Sequence, residues 1–213
     1  MTFSIVARDP ATGAFGVATA TAGPMVGALV PHIRRGVGGV ATQAMTNPYL
    51  AVDTLAGLDS QAVGAALRAA LAADPQAELR QIIAVDDAGG AEGWTGAECI
   101  AYAGHLTGEA VAVAGNMLAG PAVLEDMLAS FRRDREARGL ASALVRALRA
   151  GAAAGGDSRG IGSAALRVHG SQAFADFDIR VDSSSDPMTA LEHLFEEASS
   201  GAYAAFFATV PRR

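Results

Sequence analysis

Four groups of residues in this 213-residue chain carry side chains suited to chemistry, and each also has a purely structural role open to it. Gln43 closes the run Gly38-Gly-Val-Ala-Thr-Gln43; its amide both donates and accepts, so it can orient an amide substrate or hold an oxyanion, or simply satisfy the following loop. Asn116, after Gly115, ends an apolar run just ahead of a helical one, where it can face a cleft or cap that helix. Asp157 and Arg159 stand two residues apart, a carboxylate beside a guanidinium able to fork onto a substrate carboxylate, or a turn held by a local ion pair. His105, flanked by Gly104 and Gly108, belongs on a turn and serves either proton transfer or a structural hydrogen bond.

Other chemistries find little support. The 16 basic residues are all arginine, so no lysine is present to form a Schiff base or act as a base. His32, His105, His169 and His193 are scattered, without the spacing of a metal site, and no cofactor is expected. Gly36-Val-Gly-Gly39 lacks the lysine and the following helix of a phosphate loop. With a net charge of −6 and no concentrated basic patch, nucleic acid is not the expected partner; Arg132, Arg133, Arg135 and Arg138 alternate with acids as on a solvated helix end. Cys99 is the only cysteine, which points to a reducing compartment, and the cytoplasm is the expected location. No signal-like start and no run of 18 apolar residues argue for export or membrane insertion.

Positioning these side chains falls to strands and helices that alternate in pairs. Apolar and β-branched residues broken by turn signals predict strands over 2–8, 15–21, 28–34 and 38–43. Asn47-Pro48 then starts a helix to about Leu58, and Asp59-Ser60 caps a second carrying Val63, Leu67 and Leu71. Strands follow over 80–85, 91–95, 100–105 and 110–116, then helices from Gly120-Pro121 and over 140–152. Strands over 163–169 and 174–181 and a helix from Asp186-Pro187 complete the chain, with an ambiguous apolar tail. No linker or repeat interrupts it, so one domain over 1–213 is expected. Hairpins alternating with helix pairs predict an α+β fold: two antiparallel sheets, face to face, between helical layers, an αββα sandwich. Counting strand directions puts Thr21, Gln43 and Asn47 at the same end as Thr2, with Arg8 and Asp9 at the other, in a turn or salt bridge.

The ordered motifs Thr2-Phe-Ser-Ile-Val-Ala-Arg-Asp-Pro10, Gly38-Gly-Val-Ala-Thr-Gln43, Tyr102-Ala-Gly-His105-x-Thr107-Gly108, Gly115-Asn116-x-Leu118-x-Gly120 and Gly155-Gly-Asp157-x-Arg159-Gly160 resemble the family called domain of unknown function 1028. That family is grouped with the N-terminal-nucleophile (Ntn) hydrolases, and the likeness spans nearly the whole chain. It implies the four-layer Ntn-hydrolase sandwich and an amidohydrolase acting on a small amide or related C–N bond. Thr2 would be its nucleophile once Met1 is removed, its own α-amine the base. Catalytic roles then fall to Thr2, Gln43, Asn116 and Asp157, and substrate binding to Thr21, Asn47, His105, Arg159 and Ser163, the last placed to hydrogen-bond the amine. The family usually has a glutamine ahead of this serine, where Ile161-Gly162 stands here. Proteasome-like members of the superfamily rely on a lysine that this chain lacks, which turns the expectation away from peptidase action. A catalytically silent metabolite-binding or assembly protein is the alternative. A small-molecule substrate and a homo-oligomer built through helical layers are the expected partners.

Overall fold

The computed structural model describes residues 2–213. Ten strands form two antiparallel sheets: β1 (Thr2–Arg8), β2 (Phe15–Thr21), β3 (Pro31–Arg34), β4 (Gly38–Ala44), β5 (Arg80–Asp86), β6 (Ala91–Thr95), β7 (Gly104–Gly108), β8 (Val111–Asn116), β9 (Ser163–His169) and β10 (Phe177–Val181). The larger sheet has the order β10-β9-β2-β1-β8-β7 and the smaller β3-β4-β5-β6. Among the described residues there are seven α-helices: α1 (Val26–Leu29), α2 (Pro48–Gly57), α3 (Val63–Ala72), α4 (Ala122–Arg138), α5 (Leu140–Ala153), α6 (Pro187–Ser199) and α7 (Gly201–Ala208).

Strand alternation sorts the apolar residues into three buried clusters. Phe3 and Ile5 point to one side of β1, where they meet Met127, Phe131, Leu144 and Leu148 of α4 and α5 and Leu191 of α6. Val6 points to the other, meeting Phe15, Val17, Ile83 and Val85 between the two sheets. Ile82 and Ala84 face outward from the smaller sheet onto Leu50, Leu55, Leu67 and Leu71 of α2 and α3. Each large side chain so buried contributes roughly 1.5–3 kcal/mol. Gly16 and Gly38 fit these close contacts: a Cβ at Gly16 would lie 2.3 Å from a methyl of Leu144 in α5, and one at Gly38 would lie 2.5 Å from a methyl of Leu58 and 2.9 Å from the Val85 carbonyl oxygen.

Several elements depart from the sequence expectation. The strand expected over 28–34 begins only at Pro31, because Met25 takes a left-handed backbone (φ 61°) and the chain makes one helical turn. Val26 and Val30, four apart, both enter the inter-sheet core from that turn, at helical spacing. The strand expected over 100–105 forms instead at Gly104–Gly108; the carbonyls of Ile100 and Tyr102 are taken by Met117 N and Leu118 N, which leaves that segment no ladder to join. Asp59 and Ser60 do not cap α3, whose Val63 N donates instead to Asp86 Oδ2 at 3.2 Å. β10 starts at Phe177, three residues later than expected from Phe174, and the ambiguous tail contains α7.

Candidate active site

Thr2 opens β1 at the middle of the larger sheet, opposite Thr21 of β2 on one side and Asn116 of β8 on the other. Its hydroxyl donates to Thr21 Oγ1 at 3.2 Å, and the residue is only 6 % exposed. Two residues on, and so on the same face, Ser4 meets Thr19 Oγ1 at 2.8 Å and donates to Gln43 Oε1 at 2.6 Å.

Gln43 reaches across from the smaller sheet. Its Nε2 donates to the Thr2 carbonyl at 3.2 Å and to Gln81 Oε1 at 2.8 Å, and the side chain is wholly buried. Asn116 Nδ2 donates to the same Gln81 oxygen at 3.0 Å. Gln81 Nε2 in turn faces Thr95 Oγ1, Gly104 O and Gly115 O at 2.8–2.9 Å. Thr95 Oγ1 lies 2.9 Å from His105 Nδ1, so the half-buried imidazole is the outer end of this network. Burial lowers the His105 pKa, favouring the neutral ring.

A second polar cluster supports the loop that follows Thr21. Asp157 Oδ2 accepts from Ala22 N at 2.9 Å, its Oδ1 accepts from Arg159 N at 2.8 Å, and the Arg159 guanidinium lies 3.4 Å away with about half its surface in solvent. Ser163, paired with Thr21 in the sheet, donates to Gly23 O at 2.6 Å and accepts from Val26 N at 3.2 Å.

Thr2, Thr21, Gln43 and Asn116 thus share one hydrogen-bonded cluster, which His105 joins through Thr95 and Gln81, while Asp157, Arg159 and Ser163 brace the adjoining loop. Asn47 does not join them. Its side-chain Oδ1 caps α2 by accepting from Tyr49 N, and its side-chain Nδ2 donates to Asp74 Oδ2 at 2.8 Å. Asp74 also accepts from Arg80 Nε at 2.9 Å, and these contacts, led by the arginine, lower its pKa to about 2. Asn116 does not cap α4. At the far end of β1, Asp9 holds a turn by accepting from Ala11 N and Thr12 Oγ1.

Sequence reasoning missed Ser4, Thr19, Gln81 and Thr95. Ser4 carried a signal, a polar residue two after Thr2 in an otherwise apolar strand; Gln81 carried none beyond its polarity, since its partners come from strands distant in sequence. Backbone conformation sets this end of the molecule apart as well. Of the four non-glycine residues with positive φ among the described residues, Ala44 follows Gln43, Met117 follows Asn116 and Met25 lies in the loop after Thr21. Such conformations cost on the order of 1–3 kcal/mol each and gather where a site over-determines its backbone. Among the described residues, no group of three His, Cys, Asp or Glu is arranged to hold a metal ion.

Comparison with known proteins agrees with the motifs. A solved structure from Silicibacter pomeroyi, described as belonging to DUF1028, superposes with a TM-score of 0.90 at 33% identity, over 99% of this chain and 92% of that one. Anbu, the ancestral β-subunit from Yersinia bercovieri, aligns over 99% of both chains with a TM-score of 0.42 and 12% identity. No curated protein matches the chain. The profile described as "Family of unknown function (DUF1028)" matches residues 2–191, and the chain belongs to that family.

Proposed function

We propose that this chain is an N-terminal-nucleophile amidohydrolase of small amides or related C–N bonds, a single domain over 1–213 in the cytoplasm. The three stacked apolar clusters support reading its layers as the four-layer αββα sandwich. The observation that carries the proposal is the setting of Thr2: first residue of a central strand, hydroxyl against Thr21, carbonyl held by Gln43, Asn116 in the next strand.

Met1 lies outside the described residues, and the mechanism requires its removal. The α-amine of Thr2 then takes the Oγ1 proton as that oxygen attacks the substrate carbonyl carbon. The C–N bond breaks, the amine leaves with the proton, and an ester remains on Thr2. Water, deprotonated by the same α-amine, attacks the ester carbonyl; the Oγ1–acyl bond breaks, the ammonium returns the proton to Thr2 Oγ1, and the carboxylic acid is released. Asn116, with an N–H beyond the one given to Gln81, is suited to donate to the oxyanion. Asp157 and Ser163 hold the adjoining loop, and the half-exposed Arg159 is the group to bind a substrate carboxylate. Asn47 acts on the site only through the loop it anchors.

The test uses untagged protein. Intact mass establishes whether Met1 is lost; treatment with a β-lactone then yields a single covalent adduct on Thr2 that Thr2→Ala abolishes. Met-processed protein that gains no adduct at Thr2 rejects the proposal.

A second reading, a catalytically silent binding or assembly protein, is favoured by one observation. Both oxygens of the Asp157 carboxylate and the amides of Gln43 and Gln81 are already engaged within the chain. It predicts retained Met1 and no change in ligand binding or assembly on Thr2→Ala.

A further inference from the structure

We infer that the β10 edge and α7 form a two-fold interface between two copies of this chain, with β10 pairing antiparallel to its counterpart about Ile179. β10 is the outermost strand of the larger sheet on that side. The backbone of Phe177–Val181 bonds only to β9, so its outer N–H and C=O groups face away from the molecule without a partner among the described residues. An open edge of this kind invites another strand.

The strand is self-complementary in sequence. An antiparallel pairing centred on Ile179 sets Phe177 opposite Val181 of the second copy, and Asp178 opposite Arg180, each contact occurring twice. The two faces of the strand then match separately. Phe177, Ile179 and Val181 share the face packed on the helical layer, so apolar meets apolar. Asp178 and Arg180 share the other face and are both exposed; each has a neighbour of opposite charge within its own chain, Arg167 at 3.6 Å and Asp182 at 2.8 Å, and across the axis acid again meets base. A register shifted by one residue would place charges against apolar side chains; only the Ile179-centred pairing satisfies both faces.

The flanking surface agrees. α7 has no buried residue, yet it presents Tyr203, Phe206 and Phe207 at 46–60 % exposure, next to Leu194 of α6 and Phe174. A helix apolar on all sides is ordinarily buried. Between α7 and β10 runs a groove of about 630 Å³ in which Phe174, Phe177, Ile179 and Phe207 are joined by Asp178 and Arg212. Continuing the sheet across the two-fold axis brings the helical side of the second copy, with its own apolar α7, against this ridge. An occupant with a charged or purely polar strand would satisfy the edge but leave the aromatic ridge in water, whereas a second copy covers both.

Sedimentation velocity of the full chain from about 1 to 100 µM tests this. The expected result is a dimer. Arg180→Asp, which sets acids against acids twice, is expected to weaken dimerisation at least about tenfold, and Asp178→Arg likewise. The double charge exchange Asp178→Arg with Arg180→Asp restores it to within about threefold, because the pairing is reciprocal. Phe206→Glu, at an exposed position whose effect on folding is checked by circular dichroism, yields monomer. A wild-type monomer at 100 µM overturns the inference. So does a dimer that survives Phe206→Glu, or one in which the charge exchange fails to recover what the single changes lose.

Discussion

β1 and β2 run side by side between two ends that handle polar groups in opposite ways. At the Arg8 end the chain turns in solvent, and the half-buried Asp9 carboxylate accepts two hydrogen bonds within its own loop. At the Thr2 end, Thr2, Ser4, Thr19, Thr21, Gln43, Gln81 and Asn116 are all withdrawn from water. The same inter-sheet layer is filled a few residues away by Val6, Val17 and Ala112. Apolar side chains would therefore serve to pack the sheets at either end. Withdrawing seven polar side chains is costly unless every one is bonded, and the Thr2 end meets that demand with amides drawn from both sheets. The contrast marks the Thr2 end as specialised and the Arg8 end as a connection.

Substitutions at the two ends separate these roles. The largest effect is expected from Thr2→Ala, which removes the proposed nucleophile: turnover of a responsive amide should fall by at least about a thousandfold, with the unfolding midpoint in urea little changed. A variant retaining activity would return the Thr2 end to a purely structural status. Next is Gln81→Leu, which leaves Asn116 Nδ2, Gln43 Nε2 and the Gly104 and Gly115 carbonyls short of a partner. A loss of about 3 kcal/mol is expected, seen as a fall in Tm of roughly 6–12 °C.

Acid should act on the loop behind Gln43. Asp74, with its pKa lowered to about 2 by Arg80 and Asn47, is ionised more readily folded than unfolded. Its stabilisation is present above about pH 4 and is lost as the pH falls toward 2. Thermal melts across that window should show the decline, and Asp74→Asn should flatten it. The smallest effect belongs to the opposite end: Asp9→Ala is expected to cost about 1 kcal/mol by chemical denaturation and to leave activity untouched. An activity loss there would erase the distinction between the two ends.

The hairpins and paired helices were legible because period-2 and period-3.6 patterns survive in short windows. So was the meeting of Thr21 and Gln43 with Thr2, since it follows from counting strand directions. Asn47 fails that count for a physical reason: once the strand ends, direction no longer fixes where a side chain points, and helix capping claims it. α1 takes the first residues of the strand expected over 28–34, and the left-handed Met25 that starts it leaves no periodic trace in so short a segment.

By itself, the sequence determined the alternation of elements, their α+β class and the family, because these rest on local periodicity and on motifs whose order is written in the chain. Only the tertiary structure decided that Gln81 joins Gln43 to Asn116 and that His105 connects through Thr95. Those bonds depend on the register of β4 with β5 and β5 with β6, and on the approach of one sheet to the other. Such long-range pairings leave no periodic trace, since each partner is chosen by geometry rather than by its neighbours in sequence.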